Sequence, residues 1–185
     1  MKSKIALRQV RAGFNIWKRG YRIMQRGNRK IINGVHGFVL EDISGLNVRS
    51  VLDIGCGSAK LLRRMSKMQN FRNAKLCGVD QDKKEIAKAK RLGPKKLRLI
   101  LGKSEAFQVK GRFDLVISTN SFHEWGDKRA GISGALGRLN KGGQLIIYDT
   151  LPTDTALLRA HYKGFHGVFK RSGPLVRAAF TRRRL

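Results

Sequence analysis

Acids are scarce in this chain, and two of them stand where apolar runs end. Asp53 lies in "VLDIGCGSAKLL", Val51 to Leu62, followed by a Gly-x-Gly turn of Gly55, Cys56 and Gly57 and then residues able to start a helix. A nucleotide-binding turn begins this way, because glycines let the backbone fold tightly and approach a ligand. Asp80 ends a second apolar run, in "CGVDQD", twenty-five residues after Gly55. A carboxylate at that distance can accept hydrogen bonds from both ribose hydroxyls of a nucleoside. A third cluster, "STNSFHEW" from Ser118 to Trp125, holds His123 and Glu124. Two readings of it stay open. His123 takes a proton from a hydroxyl or carbon acid with Glu124 orienting it, or His123 and Trp125 pack the mouth of a pocket.

The turn suits a dinucleotide or S-adenosylmethionine. A dinucleotide sets its pyrophosphate on a helix N-terminus and uses a third glycine for close packing of helix on strand. Lys60 stands in place of that glycine. The carboxylate of Asp53 beside the turn would repel a pyrophosphate and attract the ammonium of a methionine moiety. The sign of that charge favours the sulfonium cofactor.

Alternating elements must carry these residues. From Ser50 onward the apolar pattern predicts strands at Ser50–Ile54, Lys75–Val79, Leu97–Leu101, Asp114–Ser118 and Gln144–Asp149, with helices at Ser58–Met68, Lys83–Leu92 and Lys128–Leu139. Short apolar strands separated by helices predict an α/β fold with a doubly wound, mostly parallel sheet. Before it, Leu7, Val10, Phe14, Trp17, Tyr21 and Met24 recur at spacings of three and four, one face of a helix. Three roles stay open for that segment: a covering helix, a basic arm on nucleic acid or ribosome, or an organellar transit peptide. After Pro152 the pattern reads as helical and basic from Thr153 to about Lys170, and the end, "SGPLVRAAFTRRRL", reads as a short strand or helix followed by a charged tail. Residues 1–48 are thus expected to form a basic helical arm, 49–150 the ligand-binding core, and 151–185 a basic helical extension.

Four blocks, "VLDIGCGSAKLL", "GVDQD", "GRFDLVISTNSFHEW" and "LGRLNKGGQLIIYD", come in an order and at spacings that resemble a class I S-adenosylmethionine-dependent methyltransferase. The resemblance runs from about Ser50 to Asp149, and it implies a Rossmann-like methyltransferase sheet with S-adenosylmethionine as cofactor. It implies that Asp53 and the turn of Gly55, Cys56 and Gly57 hold the methionine portion, that Asp80 takes the ribose hydroxyls, and that Gln81 lies against the adenine. Ser118 to Asn120 would line the mouth, and Gly142 and Gly143 would form the turn before the fifth strand. The family usually has an acid after the third strand for the adenine amino group. Lys103 stands there in "GKSEAF", leaving Ser104 and Glu105 to substitute, since a lysine cannot accept a hydrogen bond. The family also closes its sheet with an antiparallel strand pair, which the helical reading of the last segment predicts to be incomplete.

Forty Lys and Arg face twelve Asp and Glu, a formal charge of +28, with no acid before Glu41. Such an imbalance disfavours a compact chain unless a polyanion shares it, and RNA fits best. Arg8, Arg11, Lys18, Arg22, Lys83, Lys84, Arg182 and Arg183 are the candidate RNA contacts. The reading is therefore a methyltransferase acting on or associated with ribosomal or transfer RNA. A small-molecule methyltransferase, and a non-catalytic RNA-binding assembly factor, are the alternatives. Cys56 and Cys77 are too few for a disulfide framework and read as small buried thiols; no metal site is expected. No run is long enough to span a membrane, and the expected compartment is cytoplasmic, or mitochondrial if the acid-free N-terminus is a leader.

Overall fold

The computed structural model describes residues 28–150, 165–172 and 175–182. The predicted helix from Leu7 to Met24, with Arg8, Arg11, Lys18 and Arg22, lies outside the described residues, as does Arg183. The chain divides into two compact units, the first ending at Leu46 and the second starting at Asn47. In the first, helix α1 spans Asn28–Asp42. Its last turn closes with the amides of Ile43 and Ser44 donating to the carbonyls of Val39 and Glu41 at 3.0 and 3.2 Å. No helix among the described residues is long and apolar enough to cross a membrane.

The second unit is built on strands β1 Ser50–Ile54, β2 Lys75–Asp80, β3 Arg98–Leu101, β4 Phe113–Thr119, β5 Leu139–Thr150, β6 Phe165–Ser172 and β7 Leu175–Arg182. They form one seven-stranded sheet in the order β3-β2-β1-β4-β5-β7-β6. Strands β1 to β5 pair in parallel, and β7 runs antiparallel to both β5 and β6. Helices α2 Lys60–Met65, α3 Lys83–Leu92 and α4 Lys128–Gly137 lie in the crossovers after β1, β2 and β4. The chain lays β2 and β3 on one side of β1, then returns to lay β4 and β5 on the other. Right-handed crossovers in opposite directions place helices on opposite faces and open a crevice where the carboxyl ends of β1 and β4 diverge.

Burial explains the strand sequences. Val51, Leu52 and Ile54 of β1 and Leu115, Val116 and Ile117 of β4 are all fully buried, as expected for central strands covered on both faces. β3, at the sheet edge, keeps Arg98 and Leu101 exposed. At the amino ends of β1, β4 and β5, Asp114 ties three segments together. Its carboxylate accepts from the Arg49 amide at 2.9 Å, the Ser50 hydroxyl at 3.1 Å and the Asn140 amide group at 2.7 Å. Burial pushes that carboxyl up, but the donated hydrogen bonds outweigh it and hold it below its usual range.

The sheet departs from expectation at its far edge. Within the segment expected to be a helical extension, 165–172 and 175–182 form β6 and β7, so the closing antiparallel pair is present, while 151–164 lie outside the described residues. Ala178 and Phe180 of β7 are fully buried and pair with Ile147 and Leu145 of β5. Helical periodicity lost here to a period of two, which tertiary burial selected. Two smaller shifts have local causes. α2 begins at Lys60, because Ala59 adopts a left-handed φ of 55°. α4 ends at Gly137, because Leu139 already pairs with Phe113 at the start of β5. Gly142 and Gly143 therefore lie inside β5, where the register with β4 shifts and Gly142 has a φ of 75°.

Candidate active site

The site begins where β1 runs out. Gly55 and Gly57 take φ values of 76° and 51°, backbone that favours glycine. The amides of Gly55 and Cys56 both donate to the Val79 carbonyl, at 2.8 and 3.0 Å, which docks the turn onto the end of β2. A Cβ on Gly55 would overlap Ser121, and one on Gly78 would come within 2.7 Å of the Cys56 sulfur. Both glycines are therefore required by close approach, and Cys56 serves through its backbone and its packing. Burial, then the charges of Asp53 and Asp80, push the Cys56 thiol far up. Burial also pushes Cys77 up to about 11. Both side chains stay neutral.

Two carboxylates face this turn in different states. Asp80 is bound from both sides: Oδ2 accepts the Gly57 amide at 2.7 Å and Oδ1 the Asp82 amide at 2.8 Å. A carboxylate offers about four acceptor positions, so two remain for the hydroxyls of a ribose. Asp53 is buried, and its Oδ1 has no hydrogen-bond partner. Burial, and secondly the Asp80 charge, push its carboxyl up to about 7. A buried acceptor held beside a second negative charge is stabilised by one thing above all, a positively charged donor. The α-ammonium of a methionine moiety is such a donor, so these residues fit S-adenosylmethionine.

Gln81, Gly102, Ser104, Ser121, Glu124 and Trp125 join Gly55 and Asp80 around the cleft. Lys103 is exposed and does not line it. The Ser104 hydroxyl donates to Glu105 Oε2 at 2.8 Å; Ser104 lines the cleft, and the half-buried Glu105 stands behind it. Asn120, at a φ of 52°, follows β4, its amide donating to the Tyr148 carbonyl at 2.7 Å. Ser118 and Thr119 precede it with buried hydroxyls that lack partners.

His123 sits in a short 3-10 turn, Phe122–Glu124, directly after β4. Its backbone amide donates to Asp149 Oδ2 at 2.6 Å, and its Nδ1 lies 2.7 Å from Asp149 Oδ1. Asp149, on β5, is fully buried. With Nδ1–H donating to that carboxylate, Nε2 is left as the acceptor. Glu124 lies 3.7 Å from Nε2, and its side chain is 70% exposed, so the acid that orients the imidazole is Asp149. The reading of the residues alone missed it, although an acid ending the apolar run "QLIIYD" repeats the signal carried by Asp53 and Asp80. Beneath the turn, Phe122 and Trp125 are buried in edge-to-face contact, 5.1 Å between centroids. Trp125 and Glu124 line the cleft, whereas the exposed His123 beside them does not.

Of the cations singled out for RNA, Lys83 and Lys84 are exposed in the first turn of α3, close in sequence to Asp80 and Gln81. Arg182 ends β7. Among the described residues no group of three or more His, Cys, Asp or Glu could hold a metal ion.

This strand order, with acids at the ends of β1 and β2 around a glycine turn, defines the class I methyltransferase fold. A family model described as a methyltransferase domain matches residues 47–166. The chain belongs to that family. It is 27% identical over 135 residues to an uncharacterised methyltransferase of Bacillus cereus, a match covering 69% of this chain and 62% of that protein. The chain thus spans less than two thirds of the curated relatives it matches. Among solved structures it is similar to a TehB-like SAM-dependent methyltransferase from Corynebacterium glutamicum, with 19% identity and a TM-score of 0.68 over 93% of this chain and 98% of that one. The N-methyltransferase NodS from Bradyrhizobium japonicum, solved with S-adenosylhomocysteine, is 14% identical with a TM-score of 0.68, covering 92% of this chain and 100% of its own.

Proposed function

We propose that this protein is an S-adenosylmethionine-dependent methyltransferase whose acceptor is RNA, ribosomal or transfer RNA in kind. The observation that carries the reaction class is the buried Asp53 carboxyl with an unpartnered Oδ1, set beside Asp80 at the glycine turn. Family membership supports it. When bound, S-adenosylmethionine supplies a methyl group on a sulfonium, an electrophile needing only a well-placed nucleophile. Asp53 would hold the ammonium, Asp80 the ribose hydroxyls, and Gln81, Ser104 and Glu105 the adenine end. His123, held in one tautomer by Asp149, presents Nε2 to take the proton that an acceptor oxygen or nitrogen gives up as it is methylated. The reading as RNA rests on the charge of +28, which attracts a phosphate backbone without specifying a base.

A second reading, a small-molecule acceptor, has support from the solved neighbours. One of them, 15% identical with a TM-score of 0.66 over 80% of this chain and 82% of that chain, is the plantazolicin methyltransferase BpumL in complex with a desmethyl analogue. Incubation with methyl-labelled cofactor and total cellular RNA separates the two. Label in RNA that is destroyed by ribonuclease is the expected result. Label confined to small metabolites, or none in RNA, would sink the RNA reading while leaving the cofactor site intact.

A further inference from the structure

The end of the sheet opposite the cleft carries a second concavity. The amino ends of β2, β3 and β4 and the loops leading into them frame a cavity of about 640 Å³. Six cations line it, Arg72, Lys75, Lys96, Arg98, Lys110 and Arg112, and no acid does. All six are exposed, above a floor that includes the buried Leu76, Cys77 and Phe113.

Half of these cations are fixed by the protein itself. Lys96 donates to the Arg72 carbonyl at 2.9 Å, Arg98 to the Lys110 carbonyl at 3.5 Å, and Arg112 to the carbonyls of Gly137 and Leu139 at 2.6 and 3.2 Å. Carbonyls bind them without neutralising them, and none of the six forms an ion pair among the described residues. The neighbouring acid, Asp114, has its carboxylate engaged by Arg49, Ser50 and Asn140. Like charges converging on a concave surface raise each other's energy, and the low-dielectric protein around the hollow focuses their field into solvent. A polyanion seated in the hollow relieves that repulsion.

We propose that this hollow anchors the sugar-phosphate backbone of the RNA acceptor, at the sheet end opposite the methyl-transfer cleft. The inference rests on the RNA reading above and adds a place and a length to it. Strands of five to seven residues separate the two ends, so anchor and target base stand about 20 Å apart along the sheet. The acceptor is then a strand long enough to follow the protein from one end to the other, and a lone nucleoside is a poor substitute. Phosphate contacts of this kind set register and leave base choice to the cleft.

The test uses the full chain and a fluorescent single-stranded RNA of about 20 nucleotides, titrated from 50 to 200 mM salt. Arg72→Gln/Lys75→Gln/Lys110→Gln removes three charges from the hollow, and Lys67→Gln/Lys90→Gln/Lys141→Gln removes three from exposed positions outside it. Each lost single-strand phosphate contact lowers the salt slope by about 0.7, so the hollow variant should lose roughly 2 from the slope and at least tenfold in affinity. The control should lose much less. Arg72→Lys/Lys75→Arg/Lys110→Arg, which keeps the charge, should bind nearly as wild type does. Cofactor affinity, read by calorimetry, should be unchanged in all three and reports that they fold. Equal losses in hollow and control variants overturn the anchor while the RNA reading stands. A wild-type protein that binds no RNA overturns both.

Discussion

Asp53 has two neighbours that disagree about its charge: the protein, which favours the neutral form, and the proposed ligand, which favours the anion. In the ligand-free protein its carboxyl is raised to about 7 by burial and by Asp80. An acid raised in the folded state contributes its stability fully below its ordinary value of about 4 and loses it as pH climbs toward 7. Thermal unfolding of the ligand-free protein should therefore show a decline from pH 4 to 7 that Asp53→Asn flattens. A bound ammonium reverses the balance by pulling the carboxyl back down. At pH 6, S-adenosylmethionine binding should release up to one proton, seen as a binding enthalpy that changes with the ionisation enthalpy of the buffer. Buffer-independent enthalpy would mean that Asp53 does not meet a cation. After β4, His123→Asn should lower turnover by about a hundredfold with cofactor affinity unchanged, if Nε2 takes a proton in the reaction. An unchanged rate assigns His123 to packing alone. Asp53, Asp80 and the glycine turn were legible because each announces itself locally, a charge or a bend at the end of an apolar run. Asp149 was not, because its partner lies 26 residues away and meets it only through the parallel register that sets Thr119 beside Tyr148.

The helix that follows Asp80 shows how an element positions a site. Asp82 caps α3, its carboxylate accepting the Lys84 amide at 2.7 Å and the Glu85 amide at 3.4 Å, while its own amide binds Asp80. Cap and ligand residue are thus one hydrogen-bonded unit. Asp82→Ala should cost about 1 kcal/mol and lower the melting temperature by roughly 2–4 °C in a chain of this size. The backbone amide that binds Asp80 survives the substitution, so cofactor affinity should change little. A large loss of affinity in calorimetry would show that the cap side chain is what holds that amide in place. The bounds of α3, Lys83–Leu92, agree with the sequence, since an acid cap precedes them and Gly93 follows. β6 was not legible, and β7 only as one of two options, strand or helix. Their 165–172 and 175–182 stretches are rich in cations and small residues, and only pairing with β5 decides that Ala178 and Phe180 face inward. A strand defined by its neighbours leaves little trace in its own sequence.

For the whole molecule, the decisive quantity is a charge of +28 on 185 residues. It was legible at once as a statement about partners, and it says nothing about which atom is methylated. The described chain adds that the charge is not spread evenly, since six cations meet in one hollow while the scarce acids Asp53, Asp80 and Asp149 gather at the other end of the sheet. RNA affinity should fall linearly on logarithmic axes with salt, and a flat dependence would contradict electrostatic recruitment. The central claim, however, is the cofactor site, and calorimetric titration of S-adenosylmethionine into protein stripped of nucleic acid tests it most directly. Micromolar binding, lost in Asp53→Asn and in Asp80→Ala while both variants remain folded, is the predicted result. No binding to the wild-type chain would contradict the account, and would leave a methyltransferase fold that serves as a scaffold.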